Sequence, residues 1–486
     1  APRGLPRSAF EEMRVYHCDA LAQQHAHIRD ALSGRLLDVL RQCVAVEVAG
    51  SEDADLRGIK DAKGLATWLC LLHRARRDGT DTTTAAAALL TAGPAAGKTS
   101  LLSQLIVHLL REDGAEMLVP ILVKVQLLQV RLLESGESFT ASWNWIDAFL
   151  RIEYGADSAR YLMLRQAMLS RRAVLLLDGL DEGGEERDAI ERHVVEVLAP
   201  QGHVLLATSR PDGVHEARYT RFRRLRLTPL TEGQQREAFE VRLGTERMAV
   251  ALPYLERVPI DEEGRRITSN PLMLSMVASI VELRDGLELP ETVVELYEQA
   301  TRAMLARAGG GSAASLRPLL QAVFFEAQVA QQRVITARHL EMAAERVGDR
   351  RALLLLEERL AADRMPLLSL LQTDPLQVQA AHLSFQEFFA ARAICDGASP
   401  PNPPWALPAF WANTLRLGAE MGDTFGDGLR SAVEKQFERP SLRVTIAGDM
   451  RTAATALGLA LRTASRVDVV QVAQYPLRLR ELRLGE

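Results

Sequence analysis

Thr91-Ala92-Gly93-Pro94-Ala95-Ala96-Gly97-Lys98-Thr99-Ser100 is the stretch that decides the fold. An apolar run from Ala85 to Leu90 feeds a turn of small residues. Gly97-Lys98-Thr99 follows, and then a helix-like Leu101-Leu102-Ser103-Gln104-Leu105-Ile106. A strand that delivers such a loop to a helix N-terminus aims several backbone N–H groups at one anion, which is the physics of a phosphate-binding P-loop. Gly93, Pro94, Ala95, Ala96, Gly97, Lys98, Thr99 and Ser100 are then the nucleotide cradle. Lys98 reaches the β- and γ-phosphates as a point charge, and the Thr99 hydroxyl holds Mg²⁺. The pattern G-x-x-x-x-G-K-[ST] has Ala92 where its first glycine belongs, and alanine tolerates a positive φ poorly. The loop therefore needs support from an independent site.

Arg172-Ala173-Val174-Leu175-Leu176-Leu177-Asp178-Gly179-Leu180-Asp181-Glu182 supplies it. A short apolar run ending in an acid is what a P-loop protein places on a neighbouring strand, with Asp178 fixing Mg²⁺. Asp181 and Glu182 lie one short turn on, where a carboxylate orients or deprotonates an attacking water. Val204-Leu205-Leu206-Ala207-Thr208-Ser209-Arg210-Pro211 is a third buried run with a polar end. In an open parallel sheet the ligand sits at the carboxyl ends of the strands, so Thr208, Ser209 and Arg210 are placed to read the γ-phosphate.

Strand–helix alternation extends from Ala85 to Leu227 and predicts a parallel sheet with covering helices. The candidate strands are Ala87–Thr91, Leu118–Val125, Ala173–Leu177, Val204–Ala207 and Phe222–Leu227. The last alternates with arginines, as an edge strand does. Residues 1 to about 77 read as helical, including Ile28-Arg29-Asp30-Ala31-Leu32 through Leu36-Leu37-Asp38-Val39-Leu40, and residues 77–84 as a polar linker. After Thr228-Pro229-Leu230 the pattern is again helical. Gly309-Gly310-Gly311-Ser312 reads as a flexible connection, and Pro400-Pro401-Asn402-Pro403-Pro404 as a break. The remainder reads as helical until Leu479, Leu482 and Leu484. These give L-x-x-L-x-L, the strand signature of a leucine-rich repeat, in a single copy. The expected divisions are 1–77, 78–228, 229–310, 311–400 and 401–486.

Composition narrows the function. A chain of 486 residues exceeds one ordinary core, and roughly three domains is the prior. Its hydrophobic content of 47% and charged content of 25% are those of a soluble globular protein. The net charge of −5 excludes a global field that attracts nucleic acid or acidic membranes. Arg218, Arg221, Arg223, Arg224 and Arg226 form a local exception, either a strand with a solvated basic face or a small nucleic-acid patch. Cys18, Cys43, Cys70 and Cys395 are far apart with no C-x-x-C pair, so no zinc site or disulfide framework is indicated. Reduced thiols and a cytoplasmic location are expected. No apolar run approaches the roughly 18 residues of a membrane span, and the N-terminus lacks a signal-peptide core. The chain starts at Ala1 rather than Met, as a fragment or processed chain does.

Together the three elements resemble the NACHT family of STAND signalling NTPases, the regulated switch ATPases of innate immune receptors and related proteins. The distinctive feature is Asp178-Gly179-Leu180-Asp181-Glu182, in which a small residue directly follows the Mg²⁺ aspartate and further acids come next. Thr208-Ser209-Arg210-Pro211 looks like the family's sensor segment. Asn270-Pro271-Leu272-Met273-Leu274 resembles the proline-bearing helix of the first helical subdomain, which implies that Pro271 packs near the adenine. Ala381-His382-Leu383-Ser384-Phe385-Gln386-Glu387-Phe388-Phe389-Ala390-Ala391-Arg392 is similar to the winged-helix segment, which implies that His382 contacts the β-phosphate of ADP. Without the resemblance, His382 reads as a core histidine. Phe385, Phe388 and Phe389 have core spacing on a helix in either case.

The resemblance covers roughly residues 85–400. It implies an α/β P-loop NTPase parallel-sheet core followed by an α-helical subdomain, a winged-helix-like subdomain and a second helical subdomain. It also implies a slow, Mg²⁺-dependent ATPase that works as a switch. ADP holds a closed state, and ATP favours an open state that self-associates. Sensor and effector domains usually flank such a module, and neither is recognisable here. The alternatives are an AAA+ type motor, a GTPase and an interaction scaffold with a degenerate nucleotide site. Gly179-Leu180 separates Asp178 from the next acid, where AAA+ motors commonly carry an uninterrupted Asp-Glu. No Asn/Thr-Lys-x-Asp element for guanine lies between Asp178 and Leu227.

Overall fold

The apolar runs assemble into one sheet. A computed structural model describes residues 4–30, 32–41, 48–50, 59–79, 86–111, 118–255, 258–260, 264–283, 290–309, 314–436, 441–446 and 466–472. The chain divides into two units, Ala1–Thr292 and Val293–Glu486.

In the first unit, α1 (Arg7–His25) precedes a hairpin of β1 (His27–Arg29) and β2 (Leu36–Asp38). Then come β3 (Val48–Gly50), α2 (Ala62–Arg77), β4 (Ala87–Thr91), α3 (Lys98–Leu109) and β5 (Val119–Lys124). They are followed by α4 (Val125–Thr140), α5 (Trp145–Tyr154), α6 (Ala159–Leu169), β6 (Ala173–Asp178), α7 (Arg187–His193), β7 (Val204–Ser209) and β8 (Arg223–Leu227). The long α8 (Glu232–Leu255) and α9 (Pro271–Leu283) complete the unit.

The sheet order is β3-β8-β4-β7-β6-β5. The strands β4 to β8 run parallel to their neighbours, and β3 pairs antiparallel with β8. Each central strand is buried on both faces, as its unbroken apolar composition requires. Alternation still sorts the side chains. Ala87, Leu89, Leu175, Leu177, Leu205 and Ala207 point into one core, with Phe149, Tyr161 and Met163 of the covering helices. Ala88, Leu90, Val174, Leu176 and Leu206 point into the other, with Leu65 and Leu69 of α2 and Leu101, Leu105 and Ile106 of α3. Burial of this apolar area is the main stabilising term.

Two expectations for the first unit need correction. The segment 28–40 is not helical. Asp30 accepts from the Ser33 amide (2.7 Å) and hydroxyl (2.8 Å), and Gly34 adopts φ +69°, so the chain turns and Ile28 pairs with Leu37. Local Asp/Ser/Gly turn chemistry outweighs leucine spacing here. Nor is β8 the edge. Its outer side pairs with β3, and the half-buried Arg223 and Arg224 lie near the rings of Trp68 and Tyr219.

In the second unit a helix at Arg317–Val329 leads to β9 (Val334–Thr336), helices at Ala337–Val347 and Arg350–Ala361, then β10 (Leu368–Thr373) and β11 (Leu376–Ala380). The antiparallel order is β10-β11-β9. The helix Leu383–Cys395 buries Phe385, Phe388 and Phe389 as their spacing predicts. Tyr297 stacks on Phe388 at 5.0 Å, and Phe324 on Phe389 at 5.2 Å. Beyond helices Ala412–Glu420 and Asp423–Gln436, residues 441–446 and 466–472 form two parallel strands rather than the expected helix. Their β-branched, alternating composition (Leu442, Val444, Ile446; Val467, Val469) accounts for this. Residues 80–85, Gly310–Ser312, Cys43 and the L-x-x-L-x-L motif lie outside the described residues. No disulfide joins Cys18, Cys70 and Cys395. Among the described residues no helix is long and apolar enough to cross a membrane.

Candidate nucleotide site

Strand register brings the predicted residues to one edge. Thr91 sits level with Ser209, and Leu177 with Ala207. The loop after β4, the acid ending β6 and the polar end of β7 therefore meet at the carboxyl side of the sheet. β7 stands between the P-loop strand and the Asp178 strand, so Thr208–Arg210 is wedged between them.

The loop geometry answers the question raised by Ala92. Ala92 is buried, and its N–H donates to the Ser209 carbonyl at 3.0 Å, continuing the sheet. It is absent from the left-handed region, so no glycine is required there. The left-handed positions are Ala95 (φ 59°) and Gly97 (φ 93°). Ala95 carries the backbone strain, of a kind that clusters at ligand-binding loops. Gly97 caps α3, whose first ladder bond is Leu101 N–H to the Gly97 carbonyl at 2.8 Å. The N–H groups of Lys98, Thr99 and Ser100 precede that ladder and belong to the positive end of the helix dipole.

Lys98 Nζ donates to the Ala92 carbonyl at 3.0 Å and lies 3.5 Å from that of Gly93. Burial holds its amine below the usual lysine range, with Arg210 adding to this. Asp181, Glu182 and Asp178 pull the other way. All three predicted carboxylates thus act on one lysine. Asp178 is half-buried, and its Oδ1 accepts from the Thr208 hydroxyl at 3.0 Å. That hydroxyl in turn accepts from Gly179 N–H at 2.9 Å. Gly179 adopts φ +82°, and a Cβ there would come within 3.0–3.2 Å of the Glu182 side chain. The small residue after Asp178 is needed for the turn that returns Glu182 to the site.

Asp181 is committed to Arg210. Its Oδ1 accepts from the Arg210 backbone N–H at 3.0 Å, and its Oδ2 faces Arg210 Nε at 3.1 Å. Burial opposes its ionisation, but Lys98, Arg210 and backbone donors outweigh that and hold its carboxyl below the usual range. Gly213 packs against this pair. A Cβ there would stand 2.2 Å from the Asp181 Cβ and 3.0 Å from the buried Ser209 Oγ. Gly213→Ala is therefore expected to displace Asp181 and destabilise the unit by about 1–3 kcal/mol. Urea unfolding of the variant checks it, and an unchanged midpoint would show that the loop yields freely.

The helical region also reaches the loop. Asn270 Nδ2 donates to the Pro94 carbonyl at 2.9 Å, while its Oδ1 accepts from Leu272 N–H at 3.0 Å and caps α9. Pro271, half-buried, follows as the first residue of α9. His382 is in the second unit, where its Nδ1 accepts from Ser384 N–H at 3.1 Å and caps the helix Leu383–Cys395. Sequence reasoning missed the contribution of Asn270 and the packing of Gly213. Asparagine before a helix proline signals a cap, but nothing local shows that its amide reaches a loop 176 positions away.

The donor set fits a nucleotide with Mg²⁺. Thr99 is exposed at the start of α3, and Asp178 keeps partial exposure at the end of β6. Among the described residues no group of three His, Cys, Asp or Glu encloses a metal by itself. Mg²⁺ in such sites takes one or two protein ligands and completes its shell with phosphates and water.

No family model matches the chain, and no curated protein does. Solved structures align at low similarity. A Cdc6p from Pyrobaculum aerophilum is 12% identical over 63% of this chain and 88% of its own, with a TM-score of 0.26. An Orc1 protein of Aeropyrum pernix in complex with DNA is 14% identical over 66% and 91%, with a TM-score of 0.30. A STAND ATPase with a tetratricopeptide-repeat sensor from Pyrococcus horikoshii is 12% identical over 75% of this chain and 49% of its own, with a TM-score of 0.31. The strand order, loop and strand-end acids above are those of an α/β P-loop NTPase core, independently of these alignments.

Proposed function

We propose that the chain is a nucleotide-operated switch of the NACHT type, binding ATP and ADP with Mg²⁺ and hydrolysing ATP slowly. The observation that carries this reading is the bond from Asn270 to Pro94. A site built for turnover needs the loop and the carboxylates. A switch also needs the loop joined to a part that moves, and Asn270–Pro271 begins a helix outside the sheet.

In this reading Lys98 and the α3 N-terminus hold the phosphates, and Thr99 and Asp178 hold Mg²⁺, which supplies charge neutralisation at the phosphates. Thr208 fixes the Asp178 oxygen. Asp181 positions Arg210 toward the γ-phosphate, which leaves Glu182 to orient water. Pro271 lies near the base, and His382 adds a contact to the β-phosphate in the ADP form. Moving a two-state equilibrium from 1:99 to 99:1 takes about 5.5 kcal/mol of discrimination. One charged hydrogen bond gives roughly 1.5–3 kcal/mol. Several contacts must therefore act together, and loss of their common arrangement with ATP favours an open, self-associating form. Second-unit residues 317–380, ordered helix–strand–helix–helix–hairpin, support the winged-helix-like reading of the segment before His382. The location is cytoplasmic in this reading, with effector and sensor parts carried elsewhere.

Mass spectrometry of nucleotide released from purified protein tests the proposal. Tightly held ADP is the expected result, and no nucleotide would favour the scaffold. Turnover at several per second without a partner would favour the AAA+ motor. Glu182→Gln is expected to slow hydrolysis by about a hundredfold while the ADP Kd stays within about threefold. Equal hydrolysis rates would remove the water-orienting role. His382→Ala is expected to speed ADP release, and unchanged retention and oligomer state would remove His382 from the switch.

A further inference from the structure

A second polar cluster lies away from the phosphate loop. Asp30, at the turn of the β1–β2 hairpin, has its side chain 1% exposed, and that of Arg242 on α8 is 8% exposed. Arg242 Nη1 lies 3.0 Å from Asp30 Oδ2. Two hydroxyls on one face of α9 complete the cluster. Ser275 donates to Asp30 Oδ2 at 2.5 Å, and Ser279 to Oδ1 at 3.1 Å. Arg242 in turn donates to both serine hydroxyls. Further along the same face, Glu282 faces Arg242 at 3.5 Å and Arg35 of the hairpin at 3.3 Å. Burial opposes the charge on Asp30. Arg242 and the hydroxyl and amide donors outweigh it and keep the carboxyl below the usual range.

A buried pair of this kind adds little to stability over an apolar pair, yet removing one partner leaves the other charge stranded. In this chain the pair is read as fixing one arrangement rather than as adding stability. Here the arrangement is the seat of α9. Ser275, Ser279 and Glu282 fall at i, i+4 and i+7, a single helix face. The N-terminus of that helix carries Asn270, whose amide holds the Pro94 carbonyl of the P-loop. The hairpin and α8 are thus bonded to one face of α9, and the N-terminus of the same helix is bonded to the loop.

We propose that Asp30 and Arg242 are positioning residues that set, through α9 and Asn270, how tightly the P-loop holds its nucleotide. This rests on the nucleotide-binding reading and adds a regulatory handle to it. Displacing the N-terminal hairpin removes Asp30 from Arg242, unseats α9 and loosens Pro94. An event at the N-terminal segment is thereby converted into nucleotide release.

The test uses the full chain and a fluorescent ADP analogue chased with unlabelled ADP. Asp30→Asn keeps the shape and removes the charge. Asn270→Asp keeps the oxygen that caps α9 and replaces the amide donor facing Pro94. Each is expected to speed release by about tenfold, within the ordinary range of coupling between sites. The double variant is expected to release no faster than Asn270→Asp alone, because Asp30 acts through Asn270. Unchanged release in Asp30→Asn, or effects that multiply to about a hundredfold, would overturn the proposal. Amide hydrogen exchange across Gly93–Gly97 in nucleotide-free protein gives a second reading, expected to quicken in Asp30→Asn and to stay unchanged if the cluster only stabilises. If Asp30→Asn does not fold, Ser275→Ala withdraws one hydroxyl and leaves the ion pair, and the same two measurements decide. A wild-type chain that binds no ADP sinks the nucleotide reading, while loop exchange still decides the coupling.

Discussion

Lys98→Ala is expected to weaken binding of ATP and ADP by about a hundredfold or more, the largest effect of any single substitution in the site. Two losses combine. The first is the charged bond from Nζ to phosphate, worth roughly 1.5–3 kcal/mol. The second is electrostatic. Asp178, Asp181 and Glu182 all act on Lys98, and the other cation among its charged neighbours, Arg210, is already paired with Asp181. Without Lys98 three carboxylates face one cation instead of two, so the mouth of the loop becomes more negative and repels phosphate more strongly. Lys98 also bonds the Ala92 and Gly93 carbonyls, so alanine releases the loop from its own anchor. Calorimetry with ADP and Mg²⁺ measures the effect, and thermal unfolding without nucleotide separates lost binding from lost fold. A Kd within about threefold of wild type would mean that the loop is not a phosphate site. Lys98→Arg is a useful companion. It keeps the charge but not the compact ammonium that fits between two carbonyls, so an intermediate loss is expected.

Much of this site was legible because its parts are local. A strand, a loop and a helix N-terminus are contiguous in sequence, and the acid at the end of an apolar run marks the carboxyl edge of the sheet. Register then does the rest, since parallel strands entering one sheet in phase bring Thr91, Asp178 and Ser209 to the same edge. What stayed hidden depends on distant pairs. The Ala92 departure looked serious only because the pattern does not say which positions take the left-handed backbone; those are Ala95 and Gly97, while Ala92, just past β4, donates its N–H to the Ser209 carbonyl. Ile28–Leu40 has leucines at helical spacing, but an aspartate that accepts from Ser33 and a glycine at φ +69° fold it into a hairpin. The partners of that aspartate, Arg242, Ser275 and Ser279, lie more than two hundred residues away. Their order along the chain carries no trace of the contact. The same holds for the amide of Asn270.

Acid is expected to unfold the first unit well before its carboxylates titrate. His17, His25, His193 and His203 are all held to a pKa of about 4 by burial. The neighbouring charges of Arg160, Lys124 and Arg171 add to this at His17, His25 and His203 respectively. In the unfolded chain each returns to about 6.5. Between those values the unfolded state binds more protons, so stability falls as pH drops from about 6.5 and stops falling from this source below about 4. Each histidine accounts for at most about 3 kcal/mol, and four together rival the 5–15 kcal/mol that holds a typical domain. Urea unfolding at pH 7 and pH 5 should therefore differ by several kcal/mol. The emission of Trp143 and Trp145 is a local probe, since Trp145 stacks on His193 at 4.4 Å and Trp143 lies 6.3 Å from His203. His203→Leu isolates one contribution. Both ring nitrogens of His203 are buried with no hydrogen-bond partner, so leucine removes the proton site without breaking a bond. The variant should match or exceed wild type at pH 7 and lose less stability at pH 5. Equal stability of the wild-type chain at the two pH values would show that these histidines accept protons without leaving their places.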